Sequence, residues 1–415
     1  MMKILVISPY PPSIDSTGHL ASNISEGITS ARNDVQILVL ADGIDERESP
    51  TDYITVVRCW NKSQGSRQIR SQLEAMINSY NPDIVHLHYN YLTFGSVIKS
   101  HGILKFVVST CKAKKKQIVV TLHSVISSPL KRMRAEMYLL RFPTPGSIDR
   151  LCARVFDRDL DLVLENCDLL VLPSCAAFEF ARKRMEEMAS RCKVSYIPLG
   201  YSVLDEPSPQ NQSSAKSQKG LHILFYGAIT PYKGLHILLQ SVRQLMLEGF
   251  DISLDVVGEF VTHGRSDPRY YHRIMTSVRK LGLQAICKFQ VSHYAETELL
   301  QRLAKADVAV FPTLFDGTLS SSASPYPALF SGTKVVITDS PRLIDFSEVP
   351  GVFMAKVGDS TDLAKAIARA AGEDARLYDR HLFELIHDRA TVCKLYFEAF
   401  AGLLNPDKVG CHPRG

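Results

Sequence analysis

Short apolar runs alternate with amphipathic stretches along almost the whole chain, and this alternation limits the fold more than any other feature. The runs KILVIS (3–8), VQILVL (35–40), ITVVR (54–58), DIVHLH (83–88), QIVVTLH (117–123), LLVLP (169–173) and VSYIP (194–198) read as strands. Apolar runs of this kind suit a parallel sheet covered on both faces. Between the first two, Leu20, Ile24 and Ile28 share one helical face. The pattern stops at residues 203–219, VLDEPSPQNQSSAKSQK, whose Ser, Pro and Gln content marks a linker. It restarts with HILFYG (222–227), ISLDVVG (252–258), ICKFQV (286–291), VAVFP (308–312) and KVVIT (334–338). Leu235, Leu238, Leu239, Val242 and Leu245 predict a helix that stops at Gly249, and Ser360 is placed to cap another containing Leu363 and Ile367. The expectation is an α/β chain built from two doubly wound parallel-sheet domains. Residues 1–202 form the first, 203–219 the linker and 220–380 the second, with a helical segment at 381–404 and a tail at 405–415. Two such domains place the default ligand crevice between them, at the carboxyl ends of the strands.

Composition narrows the class. A chain of 415 residues with 45% hydrophobic and 22% charged residues is an ordinary globular protein. Its net charge of +5 is too small to point to nucleic acid, and suits an anionic small ligand or membrane surface. The nine cysteines are scattered, with no CxxC pair and no zinc-like spacing, which fits reduced thiols in a cytoplasm. The opening MMKILVISPYPP is too short an apolar run for a signal peptide, and no window reaches the ~18 apolar residues of a membrane span.

Several stretches carry candidate chemistry. In YGAITPYKGLHILL (226–239), Gly227 ends a strand, and Lys233 and Gly234 stand where a helix begins. A lysine beside exposed helix N–H groups suits phosphate, although G-x-x-x-x-G-K-[ST] is absent. In DGTLSSSASPYPALFSG (316–332), Asp316 and Gly317 open a serine-rich stretch that follows a strand. Pro325 and Pro327 would each cost about 3 kcal/mol inside a helix but are tolerated in its first turn. Ser324 as N-cap and Pro325 at the first helical position therefore predict a short helix. His86 and His88 lie on one side of a strand, with no third ligand evident for a metal. The D-x-D inside DRDLDL (157–162) reads as a solvated helix face, so no metal is expected. PLKRMRAEMYLLRF (129–142) mixes basic and apolar residues, as an exposed helix or one lying on a membrane surface would.

Taken in order, these motifs resemble glycosyltransferase family 4. GAITPYKGLHILLQSV is similar to the family's G-R-x-x-x-x-K-G segment, NPDIVHLHY to D-x-V-H-x-H, and IVVTLHSV to V-x-T-x-H. SPYPPSIDSTGHLASNISEGI resembles its opening strand, Gly-rich turn and helix. LLVLPSCAAFEFAR, VSYIPLGYSV, LDVVGEF and LAKADVAVFPTLFDG resemble further family segments, so the likeness spans roughly residues 3–400. The resemblance implies the GT-B fold, two Rossmann-like doubly wound parallel-sheet domains facing each other across a cleft. It implies a retaining transfer of a sugar from a UDP- or GDP-sugar to a hydroxyl acceptor, a glycan or lipid-linked saccharide, with no metal or other cofactor. Gly18 matches the glycine beside the diphosphate, His123 the histidine facing the transferred sugar, and Lys233 the diphosphate-binding lysine. Asp316 matches the first carboxylate of the family's Glu-x7-Glu signature, which contacts sugar hydroxyls.

Two positions depart from the family. The second carboxylate falls on Ser324, and the arginine after Gly227 falls on Ala228, with Thr230 at an alternative arginine position. The catalytic set expected is His123, Lys233 and Asp316. The donor-binding set is Gly18, Gly227, Thr230, Lys233, Gly234, Gly317, Thr318, Leu319, Ser320 and Ser324, with Gly317–Ser322 forming a loop whose N–H and hydroxyl groups face the phosphates. Residues 381–404 resemble the segment that returns to the first domain. The expected compartment is the cytoplasm, with 129–142 a candidate contact to the membrane's cytoplasmic face. The losses at Ser324 and Ala228 favour one rival, a non-catalytic binding or scaffold protein of the same fold. A second rival, a dinucleotide-dependent oxidoreductase, is opposed by the absence of G-x-G-x-x-G after the first strand.

Overall fold

The computed structural model describes residues 1–13, 16–43, 46–127, 146–201, 220–262, 265–292, 295–315, 317–372 and 387–405. Contacts divide the chain into two compact units. The first holds Met1–Gly200, Gly317–Ser321 and Ile386–Gly415, and the second Tyr201–Asp316 and Ser322–Leu385. The strands, in chain order, are β1 (Met2–Ile7), β2 (Val35–Asp42), β3 (Glu46–Thr51), β4 (Ile54–Trp60), β5 (Ile84–Tyr89), β6 (Gln117–Leu122), β7 (Val125–Ile126), β8 (Leu169–Leu172), β9 (Lys193–Tyr196), β10 (Leu221–Tyr226), β11 (Ile252–Val257), β12 (Val261–Thr262), β13 (Arg265–Ser266), β14 (Cys287–Gln290), β15 (Val308–Phe311), β16 (Thr318–Leu319), β17 (Lys334–Thr338) and β18 (Val352–Ala355).

The first unit's sheet runs β3-β4-β2-β1-β5-β6-β8-β9. All its pairs are parallel except the edge strand β3 against β4. The chain works outward from β1 in one direction and then returns to start the other half at β5. Strand order therefore reverses between β1 and β5, the position in doubly wound sheets where ligands commonly bind. The apolar runs are buried on both faces, β5 and β8 along their whole length. Residues 389–404 form a helix of this same unit. It buries Val392, Cys393, Tyr396 and Phe400 and anchors Arg389 to Glu26 at 2.9 Å.

The second unit's sheet runs β14-β11-β10-β15-β17-β18, all parallel, with the reversal between β10 and β15. Leu235, Leu238, Leu239, Val242 and Leu245 are all fully buried in its core, as their spacing predicts. Each removes a side chain worth about 2 kcal/mol from water.

Four local expectations are corrected. The short helix after the serine stretch begins at Tyr326, with Pro325 at its N-cap and Pro327 inside its first turn. Ser324 is thus not the cap, and its hydroxyl is used elsewhere. The helix at 360–372 is capped by Asp359, whose carboxylate accepts from the Thr361 and Asp362 amides at 2.9 Å each. Asp359 does this better than Ser360 because it lies one residue earlier and its oxygen reaches both orphan N–H groups. Thr318–Leu319 are not an open loop. They form β16, antiparallel to β7, and the Ser127 amide donates to the Gly317 carbonyl at 3.1 Å. Pairing satisfies backbone groups that a bare buried loop would leave unpaired. Finally, Asp159 of the D-x-D is fully buried. It accepts from the Tyr89 hydroxyl at 2.5 Å and faces His101 Nδ1 at 2.5 Å, while Asp161 pairs with Arg184 at 2.9 Å. Burial holds the Asp159 carboxyl above its ordinary range.

Candidate functional site

In the second unit the turn after β10 lies at the strand-order reversal. Gly227 takes φ +111°, and its amide donates to the Val257 carbonyl at 3.0 Å. A Cβ on Gly258 would stand 2.0 Å from the Gly227 carbonyl oxygen, so glycine there lets the ends of β10 and β11 lie side by side. A Cβ on Gly227 would meet only the Ser324 hydroxyl, at 3.8 Å, which leaves that face of the turn open. One turn of 3₁₀ helix, Pro231–Lys233, follows. At Gly234 φ is +75° and a Cβ would fall 1.9 Å from the Pro312 carbonyl oxygen. The turn is therefore pressed onto the end of β15, and only glycine fits.

This placement fixes Lys233. Its ammonium donates to Ser324 Oγ at 3.0 Å and Ser322 Oγ at 3.2 Å. The helix Leu235–Leu247 starts beside it with no side-chain cap. An ammonium next to the uncapped N-terminus of a helix is a site of positive potential. Sequence-predicted Lys233, Gly227, Gly234 and Ser324 are thus brought together.

The serine stretch is held in place by a residue that the sequence did not single out. Tyr226, the last residue of β10, donates its hydroxyl to the Ser324 carbonyl at 2.6 Å. The same oxygen accepts from the Ala328 amide at 3.2 Å, in the first turn of the short helix. One phenol therefore ties the strand end to both sides of Pro325. The Ser322 amide donates to the Arg342 carbonyl at 3.1 Å, and the Arg342 guanidinium lies over the Tyr232 ring at 5.1 Å. Thr230, Thr313 and Ser340 follow β10, β15 and β17, and each carries a buried hydroxyl with no hydrogen-bond partner among the described residues. Leaving such a group unpaired costs about 1–3 kcal/mol, so a polar ligand at this sheet edge would find unused partners.

A cavity of about 520 Å3 adjoins this turn, lined by Glu259, Phe260, Val261, Asp267, Pro268, Tyr271 and Val291. Ile229 bridges to Phe260, and its amide donates to the Glu259 carbonyl at 2.8 Å, so the cavity begins where the turn ends. Phe260 and Tyr271 meet edge to face at 5.1 Å between centroids. An aromatic wall with two carboxylates suits a planar group bearing N–H donors.

In the first unit, three histidines collect near the carboxyl ends of β5 and β6. His88 Nδ1 lies 3.2 Å from His123 Nε2. His86 Nε2 lies 2.8 Å from Thr121 Oγ1, and its ring is 4.2 Å from that of His88. Burial keeps both His86 and His88 neutral, pushing His86 down to about 3. Among the described residues no group of three or more His, Cys, Asp or Glu is arranged to hold a metal. Gly18 lies in the helix Ser16–Ala31, where a Cβ would stand 2.8 Å from the Pro9 carbonyl oxygen. The protein's own backbone requires glycine there. Gly317, Thr318, Leu319 and Ser320 belong to this unit through β16, and Thr318 and Ser320 are buried. Asp316, the 129–142 stretch and the 203–219 linker lie outside the described residues. Among the described residues no helix is long and apolar enough to cross a membrane.

The chain has the GT-B fold, which it shares with several solved structures. Sucrose-phosphate synthase from Thermosynechococcus elongatus shares 16% identity at a TM-score of 0.67, covering 98% of this chain and 100% of its own. Anabaena HepE, solved in complex with UDP, shares 15% at 0.66, covering 97% and 100%. The α,α-trehalose 6-phosphate synthase of Burkholderia multivorans shares 12% at 0.68, covering 98% and 100%. At these identities the likeness is one of fold. Residues 220–373 match the family described as Glycosyl transferases group 1, which covers most of the second unit. Lipopolysaccharide 1,2-N-acetylglucosaminetransferase of Salmonella typhimurium is 22% identical over 219 residues, 51% of this chain and 55% of that protein. The chain thus spans about half the length of the curated relative it matches. The chain thus combines the GT-B fold with a second unit that matches the group 1 glycosyl transferase family.

Proposed function

We propose that this chain transfers a sugar from a nucleotide diphosphate sugar to a hydroxyl acceptor, with retention of configuration. The observation that carries the proposal is the Lys233 ammonium, held by Ser322 and Ser324 beside an uncapped helix N-terminus. The costly event in such a transfer is departure of the nucleotide diphosphate. Fixed positive potential that needs no reorganisation lowers that barrier. Lys233 and the amides at the start of its helix take the phosphate charge, and no metal is assigned to this task. Gly227 leaves room for the diphosphate to approach the backbone. The aromatic cavity beyond Ile229 takes the base, with Glu259 or Asp267 accepting from its N–H groups. His123 orients the donor sugar and shields the charge that develops on it, and Asp316 binds sugar hydroxyls. That UDP is bound by Anabaena HepE supports a nucleotide donor. The Salmonella relative's name supports a glycan or lipid-linked saccharide as acceptor.

Titration calorimetry with UDP and with GDP, no metal added, tests the proposal. One nucleotide should bind in the micromolar range. Lys233→Ala should weaken it by about 10- to 100-fold, the loss of one charge-assisted hydrogen bond network. A folded protein that binds neither nucleotide would instead favour a non-catalytic binding protein of this fold. Ala228 and Ser324 are the specific observations behind that second reading, since both stand where the family resemblance expects a charged ligand.

A further inference from the structure

We propose that His88 is a positioning residue for His123, holding its ring in one orientation and one tautomer. What His123 does for the donor sugar rests on the transferase reading, whereas what His88 does to His123 does not.

The argument begins with the hydrogen bond between the two rings. His88 Nδ1 and His123 Nε2 are 3.2 Å apart with the rings tilted by 35°. Two imidazole nitrogens at this distance share one proton: one is N–H and the other a bare lone pair. The tautomer of one ring therefore dictates that of the other. His88 is the ring with no freedom. It is 1% exposed and sits inside β5, between parallel neighbours β1 and β6. Its ring packs against that of His86, 4.2 Å away between centroids and tilted by 45°. His86 is fixed in turn by Thr121 Oγ1 at 2.8 Å, and Thr121 Oγ1 lies 3.3 Å from the Tyr396 hydroxyl. Phe400 meets His86 edge-on at 5.2 Å. The chain of contacts thus ends in the helix Arg389–Leu404.

His123 is differently placed. It follows the end of β6, is only partly buried, and its amide donates to the Tyr89 carbonyl at 3.0 Å. Its backbone is anchored to the end of β5, and its Nε2 is engaged by a buried ring from the same strand. The other ring nitrogen, Nδ1, then has a defined protonation state. A group that must orient a sugar hydroxyl or face developing charge needs this definition, because the wrong tautomer presents a donor where an acceptor is required. A pair of core histidines with no such role would fill the same space, and the two cases differ in what happens to His123 when His88 loses its nitrogen.

The test uses the full chain with its histidines labelled by 15N. Long-range proton–nitrogen correlations report the tautomer of each ring, and His123→Gln identifies the His123 signals by their loss. In the unaltered protein His123 should show one neutral tautomer. In His88→Leu its signals should shift to the averaged pattern of a free imidazole. His88→Asn, whose side-chain amide stands near the Nδ1 position, should restore the single tautomer. His88→Gln, whose amide reaches toward the Nε2 position, should not, and it serves as the deficient variant should His88→Leu fail to fold. An unchanged His123 tautomer in the deficient variant overturns the proposal. Nucleotide release from the donor gives the second readout. The deficient variant should lose about tenfold in kcat with nucleotide affinity unchanged, and His88→Asn should regain it. If the unaltered protein shows no turnover, the transferase reading fails, and the correlations still decide the role of His88.

Discussion

Lowering the pH from 7 to 5 is expected to destabilise the first unit by several kcal/mol, because it buries histidines in the neutral form. Burial depresses His86 from 6.5 to about 3 and His387 from 6.5 to about 4, and depresses His88 as well. A depressed histidine contributes its full share above the unfolded pKa of 6.5 and loses it as pH falls through the window down to the folded value. Within that window the unfolded chain takes up a proton that the folded unit refuses. Between pH 7 and 5 each such histidine costs about 2 kcal/mol, so His86 and His387 together remove about 4 kcal/mol, with His88 adding in the same direction. Asp159, raised by burial, works the other way and offsets part of this. Total stabilities are about 5–15 kcal/mol, so the shift is large. Trp60 is the chain's single tryptophan, is fully buried and lies on β4. Its fluorescence therefore reports the first unit. Urea melts followed at Trp60 should move to lower midpoints at pH 5 than at pH 7. His86→Leu should flatten the slope by up to about 1.4 kcal/mol per pH unit between pH 4 and 6. A pH-independent midpoint, or the same slope in His86→Leu, would refute the reasoning.

Three further outcomes are expected. Tyr226→Phe removes the hydroxyl shared by the Ser324 carbonyl and the Ala328 amide, and should cost about 1–3 kcal/mol, read as a thermal midpoint lower by several degrees. Ser324→Glu places a carboxylate where the family resemblance expects one but sets it against the Lys233 ammonium, which lies 3.0 Å from the present hydroxyl. Calorimetry should then show weaker, not stronger, nucleotide binding, by about tenfold. Leu239→Ala opens a cavity under a fully buried helix face and should cost about 3–5 kcal/mol in urea denaturation.

What was legible in the sequence, and what was not, divides by the range of the forces involved. The strands β1, β2, β5, β10, β15 and β17 announce themselves because a strand covered on both faces must be largely apolar along its length, and short bounded runs of that kind stand out in this chain. The turn at Gly227 and Lys233 was legible for a related reason: a tight approach between strand end and helix start leaves few residue types able to fit. The edge strand β3, ERESPT, was not legible, since one side of it has no sheet neighbour and its residues are polar. Nor was β16, whose partner β7 lies almost two hundred residues away and whose two residues have no pattern of their own. Asp159 looked like one carboxylate among several on a solvated helix. Only the fold puts Tyr89 and His101 against it and withdraws it from water.

The same division explains the candidate site. Lys233 could be read from local sequence because its job, a positive charge at a helix start, is local. The partners that give it a fixed position could not, because Tyr226, Ser322 and Ser324 come together only when β10 and β15 are neighbours in the sheet. This also changes what the missing carboxylate means. Read along the chain, Ser324 is a lost ligand. In the folded unit its hydroxyl accepts from the ammonium, and its carbonyl accepts from Tyr226, so the position is fully occupied in the architecture of the lysine. A neutral hydroxyl adds no negative charge beside the Lys233 ammonium, whereas a carboxylate in the same contact would add one. A serine at this position therefore works with the positive potential of the turn rather than against it, which is the property the proposed diphosphate would need.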